Sequence, residues 1–231
     1  MAKLLLVRHG QASYGQLDYD RLSARGEAQA KQLGPHLAAQ QPTVLFVGPL
    51  VRQQQTAQLA RAAAPSLPEP ITLEGLAEYP AFDLVTKFLP KLVAEDPELA
   101  AMATQPTRAL ADRAFKTILA KWSSDAWQLD GVERVHEFVA RVTAAFDRAI
   151  ATADSGATIG VVTSAGPIGV AVGLVFGATA HHMVRASAVI RNASISELKL
   201  RTQAFAWHPD KISLVTFNST AHLPADLQTE Y

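Results

Sequence analysis

Lys3-Leu4-Leu5-Leu6-Val7-Arg8-His9-Gly10-Gln11 decides the fold. Leu4 to Val7 are apolar without alternation, the pattern of a short strand buried on both faces, as in a parallel sheet. The strand then ends in a cation and an imidazole. In open α/β sheets ligands sit outside the carboxyl ends of the strands. A buried strand that stops at Arg8-His9-Gly10 therefore predicts a site at a sheet edge.

The neighbouring sequence supports that reading. Leu22 to Ala39 has helical periodicity, with Ala28, Leu33 and Leu37 spaced for one face. Thr43 to Val47 predicts a second strand, Pro49 to Ala63 a second helix, and Ile71 to Leu73 a third strand after the loop marked by Pro65, Pro68 and Pro70. Phe82 to Trp127 lacks strand patterning and predicts helical pieces broken at Pro90, Pro97 and Pro106. Val132 to Ala151 is an amphipathic helix, Thr158 to Val162 a buried strand, and Pro167 to Phe176 a helix. Ser194 to Leu200 and Ile212 to Phe217 are strand-like. Strands alternating with helices predict a three-layer α/β/α sandwich with a mainly parallel central sheet. The 231 residues suit one domain, 1–231, with a helical insertion or cap over 80–130.

Lys+Arg and Asp+Glu are equal at 21 each, so no global field draws nucleic acid or an anionic membrane. The absence of cysteine excludes disulfides, thiolate metal sites and a Cys nucleophile. The apolar run at the N-terminus is too short for an export signal. Ser155 to Ala180 carries no charge and is long enough to span a bilayer, but Pro167 and the glycines within it favour a strand, a turn and a helix. The expectation is a soluble, cytoplasmic protein; a homodimer stays open.

Three strand ends converge if the strands are parallel neighbours: Arg8-His9-Gly10, Gly48-Pro49-Leu50-Val51-Arg52, and Thr163-Ser164-Ala165-Gly166. His9 is suited to act as base, metal ligand or nucleophile. No second ligand lies at a local metal-binding spacing, whereas the adjacent Arg8 offers a planar fork of donors matched to phosphate oxygens. Gly10 is expected to bring the backbone close to a ligand.

These segments resemble the histidine phosphatase superfamily, the phosphoglycerate mutase-like proteins. Leu4-Leu5-Leu6-Val7-Arg8-His9-Gly10-Gln11 is similar to its signature. Leu22-Ser23-Ala24-Arg25-Gly26-Glu27-Ala28-Gln29-Ala30 resembles L-[ST]-x-x-G-x-x-Q-A, and Gly48 to Ala57 resembles S-P-L-x-R-x-x-Q-T-A with Gly48 in place of Ser. Phe217 to Leu223 is similar to a C-terminal pattern of one bacterial branch. The resemblance implies a phosphomonoester substrate attacked by His9, a phosphohistidine, and release to water or, in a mutase, to another hydroxyl. Arg8 and Arg52 would hold the phosphoryl oxygens, with no metal or cofactor. Glu78 would protonate the leaving group, with its pKa raised by burial, and Glu74 is its rival.

One position departs. The family has V-[ST]-H-G-G where this chain has Val162-Thr163-Ser164-Ala165-Gly166, and Ser carries no positive charge. Compensation is expected from amides near Ala165 and Gly166 and from Ser164, Gln11 and Ser13. The departure keeps a second reading open, a module that binds a phosphorylated ligand without turnover. His136, His181, His182 and His208 are expected at surfaces or caps, and His222 has no assigned role. Trp122 and Trp127 are expected in packing, Arg21, Arg25 and Lys31 on a solvated helix face, and Asn192 in a turn.

Overall fold

The computed structural model describes residues 1–13, 20–100, 107–128, 130–203 and 205–229. The expected boundary at Pro106 lies outside them. Two compact units are present, Met1–Glu78 with Arg141–Tyr231, and Tyr79–Ala140.

The first unit holds a six-stranded sheet. Its strands are β1 (Ala2–Arg8), β2 (Val44–Val47), β3 (Pro70–Thr72), β4 (Thr158–Thr163), β5 (Ile195–Leu200) and β6 (Ile212–Ser219), in the order β3-β2-β4-β1-β5-β6. β3, β2, β4 and β1 are parallel to one another; β5 is antiparallel to both β1 and β6. The mainly parallel α/β fold is therefore present, with an antiparallel pair added at one edge.

Apolar burial explains why β1 lies in the interior. Leu4, Leu5, Leu6 and Val7 are at most 2% exposed, and burying each is worth about 1.5–3 kcal/mol. Leu5 and Val7 join Leu45, Val47 and Val162 on one face. That face is covered by α1 (Ala24–Ala39), through Leu33 and Leu37, and by α2 (Val51–Ala63), through Ala57 and Ala60. Leu4 and Leu6 alternate with them and are equally buried.

The charge-free stretch becomes β4 followed by α7 (Ala165–Val175). Among the described residues no helix is long and apolar enough to cross a membrane. Two of its glycines serve packing rather than turns. A Cβ on Gly169 would lie 2.4 Å from the carbonyl oxygen of Met183, and one on Gly173 would lie 2.3 Å from the Met183 side chain. Met183 belongs to α8 (Ala180–Ser187), a helix that the periodicity did not predict, with Thr179 as its N-cap. His181 and His182 sit in its first turn.

The second unit is helical: α3 (Ala81–Glu95), α4 (Pro97–Ala100), α5 (Arg108–Ser123) and the start of α6 (Val135–Ile150). The break expected at Pro90 is absent, because α3 runs through it. Leu84, Phe88 and Leu92 recur every fourth residue and are buried, so packing of that stripe outweighs the lost hydrogen bond. Pro97 does open a helix, where its missing N–H costs nothing. Phe88 stacks on Trp127 at 5.3 Å, and the buried Trp122 donates its indole N–H to the Glu133 carbonyl at 2.8 Å.

Candidate active site

Strand register builds the site. Arg8 of β1 lies opposite Thr163 of β4, and Val47 of β2 opposite Val162. The His9 N–H donates to Thr163 O at 2.8 Å, and the Gly48 N–H to Val162 O at 3.0 Å. The end of β4, with Ser164 after it, therefore lies between the other two strand ends.

His9 is 5% exposed and has a defined tautomer. Its Nδ1 lies 2.7 Å from the Gly10 carbonyl, which can only accept, so Nδ1 carries the proton. Its Nε2 accepts from the Arg52 Nε–H at 3.1 Å. Burial, with Arg52 and Arg8 nearby, pushes the imidazole pKa well below its usual 6.5, against a smaller opposing effect of the Gly10 carbonyl. The result is a neutral imidazole with its lone pair on Nε2, the form of a nucleophile. Because the ring is neutral and both nitrogens are bonded, burying it at the end of an apolar strand carries little penalty.

Arg52 is 8% exposed. Its Nη1 meets Asp20 Oδ1 at 2.5 Å, while Asp20 Oδ2 accepts the Val51 N–H at 2.9 Å at the start of α2. One carboxylate thus fixes both the guanidinium and the helix that carries it. Arg8, partly buried, donates through Nη1 to the Ile190 carbonyl.

Gly10 is required by backbone packing. A Cβ there would lie 2.4 Å from the Gly26 carbonyl oxygen, and a Cβ on Gly26 would lie 2.1 Å from that of Gln11. The two glycines let α1 close on the loop after His9, a close approach of the protein's own backbone. Thr56 Oγ1 accepts the Gly10 N–H at 3.0 Å and donates to Arg52 O at 2.7 Å, so the His9 loop is tied to α2.

Gln11 and Ser13 already have structural partners. Ser13 Oγ donates to Leu22 O at 3.1 Å, and Gln11 Oε1 accepts from Ser23 Oγ at 3.0 Å. Ser23 also caps α1 by accepting the Gly26 N–H at 3.1 Å.

Glu78 Oε2 accepts the Gly166 N–H at 3.1 Å, at the start of α7. This amide was expected to face an anion, and a carboxylate of the protein holds it instead. A carboxylate is favoured there by the positive end of the helix. The loop that carries Glu78 is pinned from α6: Arg141 Nη1 donates to Gly75 O at 2.9 Å and to Ala77 O at 3.1 Å. Glu74 is exposed, on a 3-10 turn of Glu74–Leu76.

Ser164 is fully buried and precedes α7 as its N-cap, but its hydroxyl makes no capping bond. It accepts instead from Gln53 Nε2 at 2.8 Å. Ala165 follows as the first helical residue, 9% exposed. Asp20, Gln53 and Arg141 are members of this arrangement that sequence reasoning missed. Gln53 lies inside the quoted G-P-L-V-R-Q segment, whereas Asp20 and Arg141 had no local signal.

Away from these residues, His222 stacks on His36 at 4.9 Å, and Asn218 ties its strand to a neighbouring loop through the Arg191 N–H at 2.7 Å. Asn192 does lie in a turn.

The family model for the histidine phosphatase superfamily, branch 1, matches residues 4–210. No curated protein matches the chain. Among solved structures, Bacillus stearothermophilus YhfR is similar over 96% of this chain and 99% of its own, with TM-score 0.68 and 16% identity. The mycobacterial glucosyl-3-phosphoglycerate phosphatase in complex with inorganic phosphate covers 96% and 99%, with TM-score 0.66 and 20% identity. A mutant phosphoserine phosphatase from Entamoeba histolytica in complex with phosphoserine covers 97% and 100%, with TM-score 0.61 and 18% identity. At such identities the likeness is one of fold.

Proposed function

The chain belongs to the histidine phosphatase superfamily, branch 1, and from that membership we propose that it hydrolyses a small phosphomonoester through a phosphohistidine on His9, without a metal. The observation that carries the proposal is the neutral His9, with Nδ1–H on the Gly10 carbonyl and Nε2 against Arg52.

His9 Nε2 attacks phosphorus; the Nε2–P bond forms as the bond to the substrate oxygen breaks. Arg52 releases Nε2 to the phosphorus and, with Arg8, binds phosphoryl oxygens, where the charge of the transition state is spread. The ring becomes cationic, and its Nδ1–H bond to the Gly10 carbonyl strengthens accordingly. Binding of the anionic phosphoryl group beside Glu78 favours its protonated form, and the acid so formed gives its proton to the leaving oxygen. Its carboxylate then takes a proton from water as the water attacks the phosphohistidine, releasing phosphate and restoring His9. Ser164 and the Ala165 amide supply neutral donors to the phosphoryl group, and Gln11 and Ser13 shape the loop beside it.

A panel of phosphomonoesters tests this. Turnover of one or more of them, lost in His9→Ala, supports hydrolysis. The same panel decides the second reading, a ligand-binding module, which Ser164 in place of a histidine favours: phosphate binding without turnover would establish it. Transfer of the phosphoryl group to an added alcohol in place of water would make the protein a mutase.

A further inference from the structure

Two departures from the family pattern, Gly48 and Ser164, are joined through one side chain. Gln53 is fully buried at the start of α2. Its Oε1 accepts the Leu50 N–H at 3.0 Å, which fixes the orientation of the amide. Its Nε2 then donates to Leu76 O at 3.2 Å and to Ser164 Oγ at 2.8 Å. The Leu76 carbonyl also accepts from Thr163 Oγ1 at 2.7 Å, so the acceptor is itself held. Every hydrogen-bonding direction of the amide except one Oε1 lone pair has an assigned partner. Gly48 makes room for it: a Cβ at residue 48 would lie 2.2 Å from Gln53 Oε1 and 2.8 Å from Leu76 O.

The consequence falls on Ser164. A hydroxyl has one proton to give, and Gln53 Nε2 can only donate, so Ser164 Oγ is the acceptor in their bond. Among the described residues its proton has no acceptor, although the residue is fully buried between Thr163, whose carbonyl accepts the His9 N–H, and the Ala165-Gly166 turn, whose Gly166 N–H is bound by Glu78. We infer that Gln53 is a positioning residue: by holding Ser164 Oγ as an acceptor, it commits the Ser164 hydroxyl to donate to the phosphoryl group at His9. This rests on the phosphatase reading above. Gly48, Gln53 and Ser164 form one device that places a neutral donor in the position where the family motif has a histidine.

A double-mutant cycle tests it, with Ser164→Ala, Gln53→Leu and the double variant, each checked for folding by thermal melting. One neutral hydrogen bond corresponds to a loss of about three- to tenfold. Each single variant should lose that factor in kcat/KM, and the double variant should lose no more than either. A purely structural Gln53 would lower activity further in the Ser164→Ala background, so losses that multiply would overturn the inference. So would a folded Gln53→Leu with full activity. Orthovanadate affinity, measured by calorimetry, gives the same comparison without turnover. If the wild type hydrolyses nothing, the phosphatase reading fails by itself. Equal, non-additive losses of vanadate affinity would then still support the positioning role, and unchanged affinity in Gln53→Leu would still reject it. If Gln53→Leu does not fold, Gln53→Glu replaces it. It retains the acceptor for Leu50 and loses the donors, and the same pattern is expected.

Discussion

Arg52 donates its Nε–H to His9 Nε2 at 3.1 Å, so the atom that would attack phosphorus rests against the cation that would hold the phosphate. Both are buried, and the ring is neutral for that reason. At pH 6 a free imidazole is mostly protonated. Nitrogen-15 spectra of histidine-labelled protein at pH 6 should show His9 neutral, with its proton on Nδ1. A protonated His9 at that pH would contradict the geometry.

Asp20 orients Arg52 through an ion pair at 2.5 Å. Asp20→Asn keeps the shape and removes the charge. It should lower kcat/KM by about three- to tenfold, since a charge-assisted bond is roughly twice as strong as a neutral one. Arg52→Ala should cost about a hundred- to a thousandfold. In the Arg52→Ala background, Asp20→Asn should have no further effect, which steady-state kinetics will check.

Glu78 is proposed as the proton donor to the leaving oxygen. Glu78→Gln should reduce kcat by about a hundredfold or more for an alkyl phosphate. The loss should be much smaller for p-nitrophenyl phosphate, whose leaving group needs no proton. Equal losses on the two substrates would assign Glu78 to holding Gly166 rather than to acid catalysis.

Much of this site was legible because its residues sit in short segments tied to strand ends. The apolar run before Arg8-His9 is a central strand, and the three predicted ends meet because β4 lies between β1 and β2. The partners that orient the site were not legible. Asp20 reaches Arg52 across 32 residues, and Arg141 reaches the Glu78 loop across more than 60. No local periodicity reports such contacts. Pro90 shows the converse error. It has a strong local meaning, chain break, and packing determines the outcome.

The contact between Gly10 and Gly26 has its own consequence. Gly10→Ala places a methyl against the backbone of α1 and should destabilise the fold by about 1–3 kcal/mol, read as a lower denaturation midpoint. An unchanged midpoint would mean that α1 can move away.

Acid should destabilise the protein through two histidines. Burial, then the neighbouring His36, lowers the His222 pKa to about 4, and that of His9 is also depressed. Below pH 6.5 the unfolded chain binds protons at these positions that the folded chain does not, so stability falls with pH. For His222 the loss runs from about 6.5 to about 4. Denaturant melts of His222→Gln should show a shallower decline over that window, and an identical slope would remove His222 from the account.

The most direct measurement is capture of the covalent intermediate. Protein mixed with a phosphorus-32-labelled substrate and quenched in alkaline denaturant should carry label on the His9 peptide, approaching one phosphate per chain, with none in His9→Ala. Full hydrolytic activity in His9→Ala, or turnover by the wild type with no label on that peptide, would contradict nucleophilic catalysis by His9.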